Sequence, residues 1–191
     1  MESVAIWNCK KSEPEKAAAV AISVASRYGK NKTKPLAAIF DIDETLLKNS
    51  EYYTNKEDLY AVQPCGKILY NYCVKNDIQI FLVTARRKSD EAKEYVVRQL
   101  RDLGYNLSNV KLYMTSREYD HLNDAGAKFK AAARKKITQN YIVIMNCGDR
   151  WSDVSEKDAD ELEKKYPRNK YIGIKPDEEG ILHAIKFPEY D

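Results

Sequence analysis

Leu36-Ala37-Ala38-Ile39-Phe40-Asp41-Ile42-Asp43-Glu44-Thr45-Leu46-Leu47 is the stretch from which the rest of the chain is read. Five apolar residues run unbroken into a carboxylate, one residue intervenes, and a second carboxylate follows. So continuous a run predicts a strand covered on both faces, as in a parallel sheet. Around that first strand, over 36–41, further strands are expected over 78–84, 110–115, 141–146 and 170–174. Helical stretches separate them over 64–75, 88–103, 125–138 and 155–166, with Gly104 as the stop of the second. An N-terminal helix is expected over 12–29, opened by a Ser12/Glu15 capping box and closed by Gly29. Strand, helix, strand in repetition gives an α/β fold: right-handed crossovers and a mainly parallel sheet with helices on both sides. Residues 1–191 are expected to form a single domain, with 48–63 as a small cap-like excursion.

The composition fits that reading. With 43% hydrophobic and 32% charged residues, and only 7 Gly and 6 Pro, the chain is neither collagen-like nor disordered. A formal net charge of +3 does not point to nucleic acid, and no nucleic-acid partner is expected. No apolar run reaches the ~18–20 residues of a membrane span. Residues 1–11 lack the pattern of a signal peptide, so no membrane association is expected and the chain is read as cytoplasmic. Four cysteines without a C-x-x-C pair read as free thiols. Two distant histidines make a His-rich zinc site a poor fit. The sequence holds no G-x-G pair, no P-loop and no G-x-S-x-G. The chemistry must then rest on carboxylates, hydroxyls and lysines. No feature of the sequence sets an oligomeric state.

In open parallel sheets the site lies at the carboxyl ends of the strands. The polar residues there are Asp41 and Asp43 after the first strand, Thr84 after the second, and Asp149 and Asp153 after the fourth. Carboxylates that converge without histidine form a hard oxygen site, which suits Mg²⁺. A nucleophilic carboxylate beside Mg²⁺ suits an aspartyl-phosphate intermediate, and a second one can shuttle the proton. A hydroxyl and a lysine can neutralise the phosphoryl oxygens.

These residues resemble the motifs of the haloacid dehalogenase (HAD) superfamily. Asp41-Ile42-Asp43-Glu44-Thr45 looks like its D-x-D-x-T motif. The run on through Asn49-Ser50-Glu51-Tyr52-Tyr53 is similar to the branch of class B/C acid phosphatases and plant vegetative storage proteins, subfamily III. Thr84-Ala85-Arg86 resembles that branch's T-G-R or T-N-R, Phe129-Lys130-x-x-x-Arg134 its Y-K-x-x-x-R, and Gly148-Asp149-Arg150-Trp151-Ser152-Asp153 its G-D-x-W-S-D. The resemblance covers about 36–154, in order, with Lys48 where the acid phosphatases have Asp.

It implies a three-layer HAD-like Rossmannoid core with a parallel sheet in the order 5-4-1-2-3 and a minimal or small cap. It also implies roles. Asp41 would be the nucleophile and a Mg²⁺ ligand, and Asp43 the general acid/base that lends its backbone carbonyl to the metal. Thr84, the Ala85 amide and Lys130 would bind the phosphoryl group, with Lys130 preferred over Lys128 for its spacing to Arg134. Asp149 would ligate Mg²⁺, with Asp153 behind it. The expected activity is a Mg²⁺-dependent hydrolysis of a small phosphorylated substrate. Tyr52, Tyr53 and Tyr60 suggest a nucleoside monophosphate, since aromatic rings stack on bases. Phosphatases of nucleic-acid ends or phosphoproteins, and a non-catalytic storage or binding protein, are the alternatives.

Overall fold

The computed structural model describes residues 4–28, 33–49, 60–155 and 159–189. Among the described residues nine strands and six α-helices follow one another: β1 (Val4–Lys10), α1 (Pro14–Ser26), β2 (Leu36–Phe40), β3 (Leu47–Asn49), β4 (Tyr60–Val62), α2 (Pro64–Lys75), β5 (Gln79–Arg87), α3 (Asp90–Asp102), β6 (Val110–Thr115), α4 (Ala125–Thr138), β7 (Ile142–Gly148), α5 (Trp151–Val154), α6 (Ala159–Lys165), β8 (Lys170–Lys175) and β9 (Ala184–Lys186). The main sheet has seven strands in the order β1-β8-β9-β7-β2-β5-β6. Pairings of β2 with β5 and β7, β5 with β6, and β7 with β9 are all parallel. The result is a mostly parallel α/β sheet, as the resemblance implies.

Burial on both faces explains the apolar runs. Ala38 and Phe40 of β2, with Ile80 and Leu82 of β5, pack on one face against residues of α1, α2 and α3. Ala37 and Ile39, with Phe81 and Val83, pack on the other against Phe129, Ala133 and Ile137 of α4. The alternation is the period of two of an extended chain, apolar on both sides. Burying each of the larger side chains, such as Phe40, Leu82 and Ile39, contributes about 1.5–3 kcal/mol, which fixes the register and with it the strand ends. A third cluster sets Trp151, Val154 and Leu162 against Ile172 and Ile174.

Two expectations need correction, and one strand was not foreseen. The implied order 5-4-1-2-3 holds from the fourth strand to the third, but β9 lies between β7 and β8, the fourth and fifth strands. The reason is where β8 begins. Tyr166, just before it, packs against Trp151 near the carboxyl end of β7, with ring centroids 5.8 Å apart and the planes tilted by 39°. The chain therefore enters β8 from that end and runs antiparallel, and β9 returns to pair parallel with β7. The segment 4–10 is β1, an antiparallel partner of β8. The Ser12/Glu15 capping box does not form: α1 is capped at Glu13, whose Oε2 accepts from the Lys10 amide at 3.1 Å, and Pro14 occupies the first turn.

The two ends of the 48–63 excursion pair as a ribbon, Leu47 opposite Val62 and Asn49 opposite Tyr60. Tyr52 and Tyr53 lie outside the described residues. All four cysteines are buried free thiols. Among the described residues no helix is long and apolar enough to cross a membrane.

Candidate active site

The loop after β2 is built from the inside. Ile42, Thr45, Leu46 and Leu47 are fully buried, and the amides of Leu46 and Leu47 both donate to the Ile42 carbonyl at 2.9 Å. Tyr105 donates its hydroxyl proton to the Leu46 carbonyl at 2.7 Å from the opposite side. Anchored at these residues, the loop turns at Glu44, which takes a left-handed φ of 57°, and sends Asp41 and Asp43 into a cleft of about 1030 Å³. The Asp41 amide donates to the Cys147 carbonyl at 2.9 Å, stapling the strand end to β7.

Beyond that staple, β7 ends at Gly148. A Cβ here would stand 2.3 Å from Cβ of Asp153, so only glycine lets α5 fold back this closely. The Arg150 amide donates to Asp153 Oδ2 at 3.0 Å. The Asn146 side-chain amide donates to the Asp153 carbonyl at 3.2 Å, and Arg134 Nη1 to the same carbonyl at 2.9 Å. Arg134, itself tied to Glu178 at 3.0 Å, thus fixes the turn that carries Asp153. That gives the K-x-x-x-R spacing its physical content: two side chains one helical turn apart, one reaching the carboxylates and the other their backbone.

Carboxylate oxygens of Asp41, Asp149 and Asp153 lie within 4.8 Å of one another. Lys130 projects from α4 between two of them and donates from Nζ to Asp41 Oδ1 and Asp153 Oδ1, each at 2.7 Å. Lys128 is exposed on the same helix, although it too borders the cleft. Burial, opposed by Lys130, pushes the Asp41 carboxyl up to about 7. Burial and then the charges of Asp153 and Asp41 push Asp149 up to about 8. Burial also disfavours the Lys130 ammonium, but Asp41 and Asp153 outweigh it and hold its pKa above the ordinary lysine range. One close ammonium serves three buried carboxyl groups, and the raised values of Asp41 and Asp149 show that ionising all three there is costly without a further cation. The donor set is all oxygen, which fits a hard divalent cation.

Thr84 and Ala85, at the end of β5, line the same cleft. Asp43 stands apart from the three-carboxylate cluster: both its oxygens face Arg86, at 2.6 Å and 2.9 Å. So the structure brings Asp41, Lys130, Asp149 and Asp153 together, and puts Asp43, Thr84 and Ala85 on the same cleft. Sequence reasoning assigned no role to Arg86, Asn146 or Lys186. Lys186, a buried lysine of β9, pairs with Glu189 at 3.1 Å, and the only trace it leaves in the sequence is a charge between Ile185 and Phe187.

A family model for the HAD superfamily, subfamily IIIB (acid phosphatase), matches residues 54–190, a segment that begins after Asp41 and Asp43. Among curated proteins, acid phosphatase 1 of Solanum lycopersicum is 25% identical over 61% of this chain and 51% of its own length. The chain thus spans about half the length of that relative. Among solved structures, the class C acid phosphatase from Bacillus anthracis superposes with a TM-score of 0.58 at 16% identity, over 82% of this chain and 72% of that one. The same enzyme with tungstate bound gives 0.54 at 16% identity, over 81% and 70%.

Proposed function

This chain belongs to the acid phosphatases of HAD subfamily IIIB, and on that premise we propose that it hydrolyses phosphomonoesters through a phosphoenzyme on Asp41. The observation that carries the reading is the convergence of Asp41, Asp149 and Asp153 in one cleft, with Lys130 bridging Asp41 and Asp153. Asp41 and Asp149, with the backbone carbonyl of Asp43, would hold Mg²⁺. Bound there, the ion would keep Asp41 ionised and draw charge from the phosphoryl oxygens. Lys130, the Thr84 hydroxyl and the Ala85 amide would bind those oxygens and neutralise the charge that builds on them.

Asp41 attacks phosphorus in line with the departing ester oxygen. Asp43 gives its proton to that oxygen as the P–O bond breaks, and is left as a carboxylate. It then takes a proton from the water that attacks the phosphoenzyme, which releases phosphate and regenerates both aspartates. We extend the reading to nucleoside monophosphates as substrates, supported by Tyr52, Tyr53 and Tyr60 in the segment that follows the first carboxylates. Equal or better turnover of sugar phosphates would remove that extension. The four free buried thiols suit a reducing compartment, and we place the protein in the cytoplasm.

The test is hydrolysis of p-nitrophenyl phosphate with Mg²⁺, with EDTA, and by Asp41→Asn. Turnover should need the ion and vanish in the variant, together with any acid-stable covalent phosphate. Undiminished turnover by Asp41→Asn would end the proposal.

A further inference from the structure

Asp43 is held by a side chain that the chemistry above does not use. The β5–β6 ladder pairs Thr84 with Met114 and next pairs Arg87 with Thr115, so Ala85 and Arg86 bulge out between the two. Bulges of this kind re-aim side chains beside active sites. Here the Arg86 amide turns back to donate to Thr84 Oγ1 at 3.2 Å. Its guanidinium reaches across to Asp43, Nη2 donating to Oδ1 at 2.6 Å and Nε to Oδ2 at 2.9 Å. Each carboxylate oxygen accepts one arm of the fork.

The remaining arm is fixed as well. Arg86 Nη1 donates at 2.6 Å to Oε1 of Gln99 on α3. Gln99 is only 3% exposed and lies on the helix face that also buries Val96 and Leu100. An amide in that setting is costly unless it is hydrogen-bonded, and Arg86 supplies the bond. The guanidinium therefore ties together three elements: the loop after β2, the bulge of β5 and the buried face of α3.

We infer that Arg86, oriented by Gln99, is the positioning residue for Asp43: the fork sets the plane of the carboxyl so that its proton meets the departing oxygen. The inference rests on the reading of Asp43 as the general acid. A general acid misplaced by about an ångström loses much of its effect. The loss shows most where the leaving group most needs the proton. A strongly basic alkoxide needs it, and a p-nitrophenolate does not.

The experiment compares kcat/KM for glycerol 2-phosphate and p-nitrophenyl phosphate, because kcat/KM reports the steps up to departure of the leaving group. Arg86→Lys keeps the charge but cannot form the fork. Gln99→Leu keeps roughly the volume and touches Asp43 only through Arg86, so it decides the matter if Arg86→Lys fails to fold. Each should lower kcat/KM by roughly 10–100-fold on glycerol 2-phosphate and by under ~3-fold on p-nitrophenyl phosphate. An equal loss on both esters, or none on either, overturns the positioning role. Asp43→Asn separates this from the parent reading. If that variant shows no bias against the alkyl ester, the acid role itself falls. If it shows the bias and Gln99→Leu does not, only the positioning role falls. In the Asp43→Asn background, Gln99→Leu should add no further loss on glycerol 2-phosphate, and an additive loss would also overturn it.

Discussion

Lys128 and Lys130 differ by two positions on one helix, and α4 turns one outward and the other into the carboxylates. Removing Lys130 leaves Asp41 and Asp153 buried beside Asp149 without their close cation. Lys130→Met should therefore abolish p-nitrophenyl phosphate turnover and destabilise the metal-free protein by about 3 kcal/mol or more. Lys128→Ala should stay within about twofold of the parent in turnover, with an unchanged Tm. A crippled Lys128→Ala beside an active Lys130→Met would reverse the assignment. The preference for Lys130 came from the motif's four-residue spacing to Arg134; in α4 that step is close to one helical turn, and both side chains point inward. Arg86 was quoted in a motif but gained no role, because its work depends on a bulge and on Gln99, thirteen residues on and across a turn.

At the level of elements, α4 meets β5 where a side chain would not fit. A Cβ on Gly126 would stand 2.9 Å from Cβ of Ala85, and neither atom can swing aside. Gly126→Ala gains helix propensity of up to about 1 kcal/mol, so its thermal unfolding should change little. It would push back the segment that offers the Ala85 amide to a phosphoryl group, and kcat/KM should fall roughly tenfold. Unchanged kcat/KM would mean that this amide has no part in binding. The central strands were legible because they are apolar on both faces. β1 was not, since Ile6 is 47% exposed and sits where an alternating strand should be polar. β9 is three residues long, below the length at which a period can be counted.

Across the whole molecule, β1 is coupled to the sheet through a titratable ring. Trp7 Nε1 donates to His183 Nε2 at 3.0 Å, which places the imidazole proton on Nδ1. Burial lowers the His183 pKa to about 4, so the unfolded chain binds a proton near 6.5 while the folded one does not. Stability from this site is present above about pH 6.5 and is lost as the pH falls toward about 4, by about 3 kcal/mol. Urea unfolding of the parent and of His183→Gln at pH 7, 5.5 and 4.5 should converge on acidification. Parallel curves would show that the ring does not titrate in this window.

The order of the sheet also sets an order of events during synthesis. β7 has β2 on one side, and on the other side its partner is β9, which leaves the ribosome almost forty residues later. Until residues 184–186 emerge, that flank of β7 has no strand to pair with, and β1, made first, waits for Lys175 to meet Val4. The carboxylate centre beside Gly148 is then among the last parts to be enclosed. A nascent chain stalled before β9 would present an open strand edge to its neighbours.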